Sequence, residues 1–110
     1  MWFKLIFHLT NENEFHIVII MNLQEQIDYW SMKGYGDFYV WEDSPGTYYD
    51  WHTHPFDELR VVLKGSILIG TEEGQVLLKQ GDYLEVPSNT RHWARTETGV
   101  SYLCGTKRNY

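Results

Sequence analysis

A single cysteine, Cys104, stands in the 110-residue chain. No intrachain disulfide can form, an extracellular disulfide scaffold is excluded, and a reducing cytoplasm is the expected setting. Clusters of lysine and arginine are missing as well. With 9 basic against 15 acidic residues and a formal charge of -6, the chain lacks the basic surface that nucleic acid or an anionic membrane requires, so neither partner is expected. Long apolar runs are also absent. Residues 1–9 open with one lysine and an apolar stretch in the manner of a secretion signal, but the polar segment 10–14 interrupts it and no small-residue cleavage site follows. Neither a signal peptide nor a membrane span is expected there. No phosphate-binding loop, nucleophile–base pair or nucleotide fingerprint appears anywhere in the chain.

What is present suits one modest domain. The length is near the modal domain size, enough for one core and too little for two. Aromatics make up 16% of residues and are well spread, which suits a barrel wall and an aromatic-lined pocket. Residues 1–20 form an N-terminal extension with two readings. Phe3, Leu5, Phe7 and Leu9 alternate ahead of the polar tip and Phe15, Ile17 and Ile19 alternate after it, as in a hairpin; or Met21 is the true start and the segment carries no selected role. His8 and His16 fall in this extension without ligand spacing and read as bystanders.

The domain proper covers residues 21–110. Leu23, Ile27 and Trp30 recur at helical spacing behind the cap Asn22, predicting a short amphipathic helix that ends at Gly34. Short β-prone runs follow: 38–41, 48–52, 59–63, 66–71, 75–79, 83–86, 92–96 and 100–104. Turn signals at Ser44-Pro45-Gly46, Glu72-Glu73-Gly74 and Gln80-Gly81-Asp82 separate several of them. Evenly spaced short strands predict an all-β, antiparallel double-sheet jelly roll.

One stretch speaks about chemistry. Between Gly46 and Gly65 lie His52, His54 and Glu58, and His92 follows a second glycine-bounded stretch that begins at Gly81. Residues two apart on a strand share a face, so His52 and His54 point inward together while Trp51 and Thr53 face away. Pro55 ends the strand, the turn through Phe56 and Asp57 brings Glu58 back, and His92 closes the set from a neighbouring strand. Three imidazoles and a carboxylate suit a divalent first-row metal and leave one or two coordination positions for water or substrate. Asp57 is the alternative to Glu58 and is expected on the surface.

Gly46, His52, His54, Glu58 and Gly65 fill every fixed position of G-x5-H-x-H-x3-E-x6-G, the first motif of the cupin superfamily. The second motif, G-x5-P-x-G-x2-H-x3-N, is met at Gly81, Pro87 and His92, with Asn89 in place of the glycine and Thr96 in place of the asparagine. Asn tolerates positive φ best among non-glycine residues, so Asn89 is expected to make the same turn. The chain thus resembles a small single-domain cupin, which implies a double-stranded β-helix barrel with a metal inside. The resemblance further implies a metal-dependent oxygenase or isomerase acting on a small organic molecule, with Glu58 as ligand or as base. Thiol dioxygenases of the cupin class typically lack that glutamate. The other reading is a non-catalytic ligand-binding or sensing barrel, and the single short helix leaves no room for a DNA-binding helix-turn-helix. Iron or manganese is favoured, with zinc, nickel or copper also compatible. A homodimer is expected, since small cupins commonly pair.

Strand alternation names the pocket. Tyr48 and Asp50 share parity with His52, Arg60 and Val62 with Glu58, and Ala94 and Thr96 with His92. Arg60 is read as an anchor for a substrate carboxylate or as the partner of an acidic residue such as Asp50. Tyr102 and Cys104 on the last strand are placed within reach of the cavity.

Overall fold

The structure, a computed structural model, describes residues 22–107; the expectations for residues 1–20, His8 and His16 included, lie outside the described residues. It begins with helix α1 (Leu23–Met32) and continues through β1 (Gly36–Asp43), β2 (Tyr48–His52), β3 (Asp57–Thr71), β4 (Gly74–Lys79), β5 (Tyr83–Val86), β6 (His92–Arg95) and β7 (Val100–Lys107). Asn22 caps the helix through a reciprocal box with Glu25: the Asn22 side chain accepts from the Glu25 N–H at 2.9 Å, and the Glu25 carboxylate accepts from the Asn22 N–H at 3.1 Å. Two otherwise orphaned donors of the first turn are thereby satisfied. No helix among the described residues is long and apolar enough to cross a membrane.

All strand pairs are antiparallel, and β3 serves two sheets at once. Its first part pairs with β7 and β5, with β1 beyond β7, while its second part pairs with β4 and β6, with β2 beyond β6. The two runs expected at 59–63 and 66–71 are therefore one bent strand. The bend falls at Gly65, whose φ is +80°, beside a register shift between Val62 and Lys64. A positive φ is cheap only for glycine, and a bulge is how one strand changes sheets.

The alternation along β3 explains why both its faces are apolar or enclosed. Leu59 and Val61 face outward and pack with Trp30, Tyr35, Tyr83 and Leu103 beneath α1, whereas Val62, Ile67 and Ile69 face inward among Leu78, Leu84, Val86 and Val100. Trp30 is 2% exposed and meets Tyr83 edge-on at 4.8 Å between ring centroids. The helix thus covers one sheet from outside, and the space between the sheets is left for a core at one end and a cavity at the other.

Candidate metal centre and its cavity

His52 and His92 stand at strand ends, each with its ring Nδ1 against a backbone carbonyl. His52 ends β2 and sits across from His92, the first residue of β6. Its Nδ1 lies 2.6 Å from the Asp50 carbonyl, and His92 Nδ1 lies 2.8 Å from the Thr90 carbonyl. A carbonyl can only accept, so both Nδ1 atoms carry the proton and both Nε2 atoms present lone pairs. His54 follows two residues after β2, and its carbonyl accepts the Asn89 N–H at 2.6 Å. Asn89 makes that turn with φ +61°, in the role its motif position demands. Replacing Asn89 with alanine should cost about 1 kcal/mol while Asn89→Gly stays near neutral, as read by urea unfolding.

The three rings converge. Their centroids lie 4.2 Å (His52–His92), 4.9 Å (His52–His54) and 5.3 Å (His54–His92) apart, and one nitrogen from each falls within 4.8 Å of the others. His54 Nε2 is buried and makes no hydrogen bond. A buried nitrogen without a partner normally costs 1–3 kcal/mol or so, and an ion held in common by the three imidazoles would satisfy it. The donor set is three neutral nitrogens with a carboxylate beside them, which fits a divalent first-row metal. Burial holds the imidazoles of His54 and His92 below the ordinary histidine pKa, keeping the lone pairs free at neutral pH.

That depression has a sign in stability. A histidine titrating lower in the folded than in the unfolded chain leaves the unfolded state binding more protons, so its contribution is whole above about pH 6.5 and is lost as pH falls through the folded value. The metal-free protein should be less stable at pH 5.5 than at pH 7.5, and the difference should shrink in His92→Gln, measured by urea unfolding at both values.

Glu58, expected as the fourth ligand, stands beside the triad rather than within that group. It is 4% exposed, with Oε2 3.4 Å from His54 Nε2 and 3.1 Å from Arg60 Nη2. Two residues apart on β3, Glu58 and Arg60 share the inner face and form an ion pair. Arg60 is therefore partnered by Glu58 and not by Asp50, whose side chain accepts from the Trp51 N–H at 2.8 Å and the Tyr48 hydroxyl at 3.0 Å. Asp57, expected on the surface, is half-buried and ties down the distant turn between β5 and β6 by accepting the Ser88 N–H at 2.8 Å.

Above the triad opens a cavity of about 640 Å³. Its walls include Tyr48, Asp50, Arg60, Ala94, Tyr102 and Cys104, all named by alternation or by their place on the last strand. Thr96 is not among the lining residues. It is 2% exposed and donates to the Ser66 carbonyl at 2.7 Å, because β6 ends at Arg95 and the inward parity ends with it. Val62, of the same parity as Glu58, belongs to the core.

Sequence reasoning missed Tyr39 and Trp41 on β1, Tyr49 on β2, and Ile67, Ile69 and Val86 as lining residues. Parity on β1 was a usable signal for the first two. Tyr49 was beyond reach, since the register of β2 shifts between Tyr49 and His52 and lets neighbouring residues Tyr48 and Tyr49 both line the cavity. Deeper in, the Asp43 carboxylate accepts from the Tyr102 and Tyr49 hydroxyls at 2.6 Å each and from Trp41 Nε1 at 2.8 Å. Burial first and the Asp43 hydrogen bond second push the Tyr102 phenol far up, so it stays protonated and donates. Burial likewise raises the Cys104 thiol, which the Arg60 guanidinium opposes.

Fold and site together define a double-sheet β-barrel with an internal histidine triad open to an aromatic-walled cavity. The family model described as "Cupin domain" matches residues 39–104, and the chain belongs to that family. Among curated proteins it is similar to the uncharacterised Bacillus subtilis protein YdbB, at 41% identity over 58 residues covering 51% of each chain. It is also similar to an acireductone dioxygenase of Prochlorococcus marinus, at 48% identity over 48 residues covering 40% of this chain and 26% of that one. The chain thus spans about half the length of the first relative and about a quarter of the second. Among solved structures, a cupin-2 domain protein from Shewanella frigidimarina superposes with a TM-score of 0.60 at 18% identity, covering 84% of this chain and 98% of that one. The DMSP lyase DddQ from Ruegeria pomeroyi superposes at 0.61 with 28% identity over 66% and 38%.

Proposed function

We propose that this barrel is a metal-dependent enzyme of the oxygenase type acting on a small organic molecule, with His52, His54 and His92 as nitrogen ligands and Glu58 as the adjacent carboxylate. The observation that carries the reading is the convergence of three imidazoles on the cavity, two of them with Nδ1 tied to a carbonyl and the third with its Nε2 buried and unsatisfied. The local similarity to acireductone dioxygenases supports the oxygenase class. A divalent ion there supplies Lewis acidity toward an enol or carbonyl oxygen and, when redox-active, electron transfer toward O2.

This chain's own residues do the rest. The Asp50 and Thr90 carbonyls hold the His52 and His92 rings in one tautomer each. Glu58, enclosed and 3.4 Å from His54 Nε2, is the proposed acceptor of a proton from an acidic C–H or O–H of a substrate, with the Arg60 guanidinium beside it. Ile67, Ile69, Val86 and Ala94 present an apolar wall that excludes water from that transfer. Iron or manganese is the proposed cellular ion; the general affinity order puts copper or zinc into purified samples. The protein is proposed to act in the cytoplasm as a homodimer, and light scattering after size exclusion should give twice the chain mass.

The test is anaerobic loading with Fe(II) or Mn(II), metal analysis, and O2 uptake with an enediol, a β-diketone and a catechol. Uptake that depends on both metal and substrate supports the proposal. Stoichiometric metal with no O2 uptake and no turnover for any of the three would sink the oxygenase reading.

A further inference from the structure

Arg60 has more to offer than its ion pair uses. Its guanidinium gives Nη2 to Glu58 at 3.1 Å and Nη1 to the Leu59 carbonyl at 3.4 Å, and its face lies 5.2 Å from the centroid of the Tyr102 ring. Five N–H donors are available in an arginine, and these two contacts engage a minority of them. Glu58 beside it keeps 6% of its side chain accessible, whereas Arg60 keeps 18% and lines the cavity. The exposure that Arg60 retains therefore opens where a ligand would lie. Arg60 is also the one lysine or arginine among the lining residues.

We infer that the ligand of this cavity is a small organic anion, a carboxylate or enolate on a flat apolar body, whose charged group is received by Arg60. The aromatic side chains of Tyr39, Trp41, Tyr49 and Tyr102 line the same cavity, so a planar body finds ring surfaces there beside the apolar residues. Tyr102 acts as a positioning residue, its ring set beneath the guanidinium and its hydroxyl anchored 2.6 Å from Asp43. The charge balance gives the inference its condition. The lining residues carry two carboxylates, Asp50 and Glu58, against one guanidinium, so without a metal an organic anion meets net negative charge. A divalent ion on the triad reverses that sign. The inference thus rests on the metal-centre reading, and anion binding should strengthen when the metal is present, with the reciprocal effect on metal affinity.

The full-length chain is first titrated with Zn(II) by calorimetry. The zinc-loaded protein is then titrated with benzoate and with benzamide, a pair of the same shape differing in charge, by ligand-observed NMR. Benzoate should bind on the order of tenfold tighter than benzamide. Arg60→Gln should abolish that preference with the zinc stoichiometry retained, and Arg60→Lys should keep part of it, because a point charge replaces a planar fork. If Arg60→Gln does not fold by circular dichroism, the loss of preference in Arg60→Lys relative to the unmodified chain carries the test. A flat zinc isotherm sinks both readings. Normal zinc binding with equal or absent binding of the two probes, or with the benzoate preference intact in Arg60→Gln, overturns the anion site alone.

Discussion

His52→Ala should lower metal affinity by roughly 100-fold or more and take metal-dependent turnover with it. Removing only an outer partner of a ligating histidine costs about 10- to 100-fold, so deleting a proposed ligand should cost at least the upper end. His52 is the informative choice among the three because it is half-buried at a strand end while His92 is enclosed. Its loss opens the cavity to solvent and leaves no void in the core, so the circular dichroism spectrum and urea midpoint of the metal-free protein should be close to those of the unmodified chain. Metal content after gel filtration, read by mass spectrometry, checks the prediction. Retention of one ion per chain in His52→Ala would mean that the triad is not the ligand set.

Gly65→Ala should destabilise the fold by more than about 3 kcal/mol, the largest effect expected of any single methyl group in this chain. Two costs add at this position. The residue holds φ at +80°, and a Cβ there would stand 2.1 Å from the Gly99 carbonyl oxygen and 3.1 Å from the Val100 Cα. Both obstacles are backbone of the facing strand and its turn, so no side chain can swing aside. The comparison that isolates the clash is Gly46→Ala. Gly46 holds φ +88° with nothing within 4 Å of its would-be Cβ, so it should cost only the left-handed strain of about 1–2 kcal/mol. Urea unfolding of the two variants at pH 7.5 measures the difference. Equal destabilisation would show that the bend in β3 tolerates a side chain and that the shared strand is not held by close approach.

These two predictions divide along the line between local and distant information. Spacing alone could group His52, His54 and Glu58, because the three are close in the chain and the glycines that bound the segment mark a turn at Gly46 and the bend of β3 at Gly65, although β2 ends at His52 and His54 lies beyond it. The capped helix behind Asn22 was legible for the same reason: its box with Glu25 closes within four residues. The turn at Asn89 could be anticipated from the backbone tolerance of asparagine. The pairing of Glu58 with Arg60 was harder, since both parity and charge allowed Asp50 as the partner; the turn between β2 and β3 and the engagement of Asp50 by its own neighbours removed that option.

Thr96 and Tyr49 show where alternation stops informing. Thr96 lies one residue past the end of β6 and turns its hydroxyl to a carbonyl of β3, and Tyr49 faces the cavity because the β2–β6 register slips. Neither event leaves a local trace, because bulges and strand ends are set by what the neighbouring strand does. Tyr39 and Trp41 of β1 join the site through the pairing of β1 with β7, which is distant from it in the chain.

By itself the amino-acid sequence determined the barrel class, the helix, the order of the strands and the identity of the three imidazoles, all of which depend on periodicity, turn chemistry and spacing within a few residues. Only the tertiary structure decided that β3 is one strand shared by two sheets and that Glu58 leans on Arg60 beside the triad. It alone also gathered Asp43, Tyr49 and Tyr102 into one network. Those facts follow from which surfaces meet across the barrel, and residues distant in the chain meet according to sheet register and bend, which no local pattern encodes.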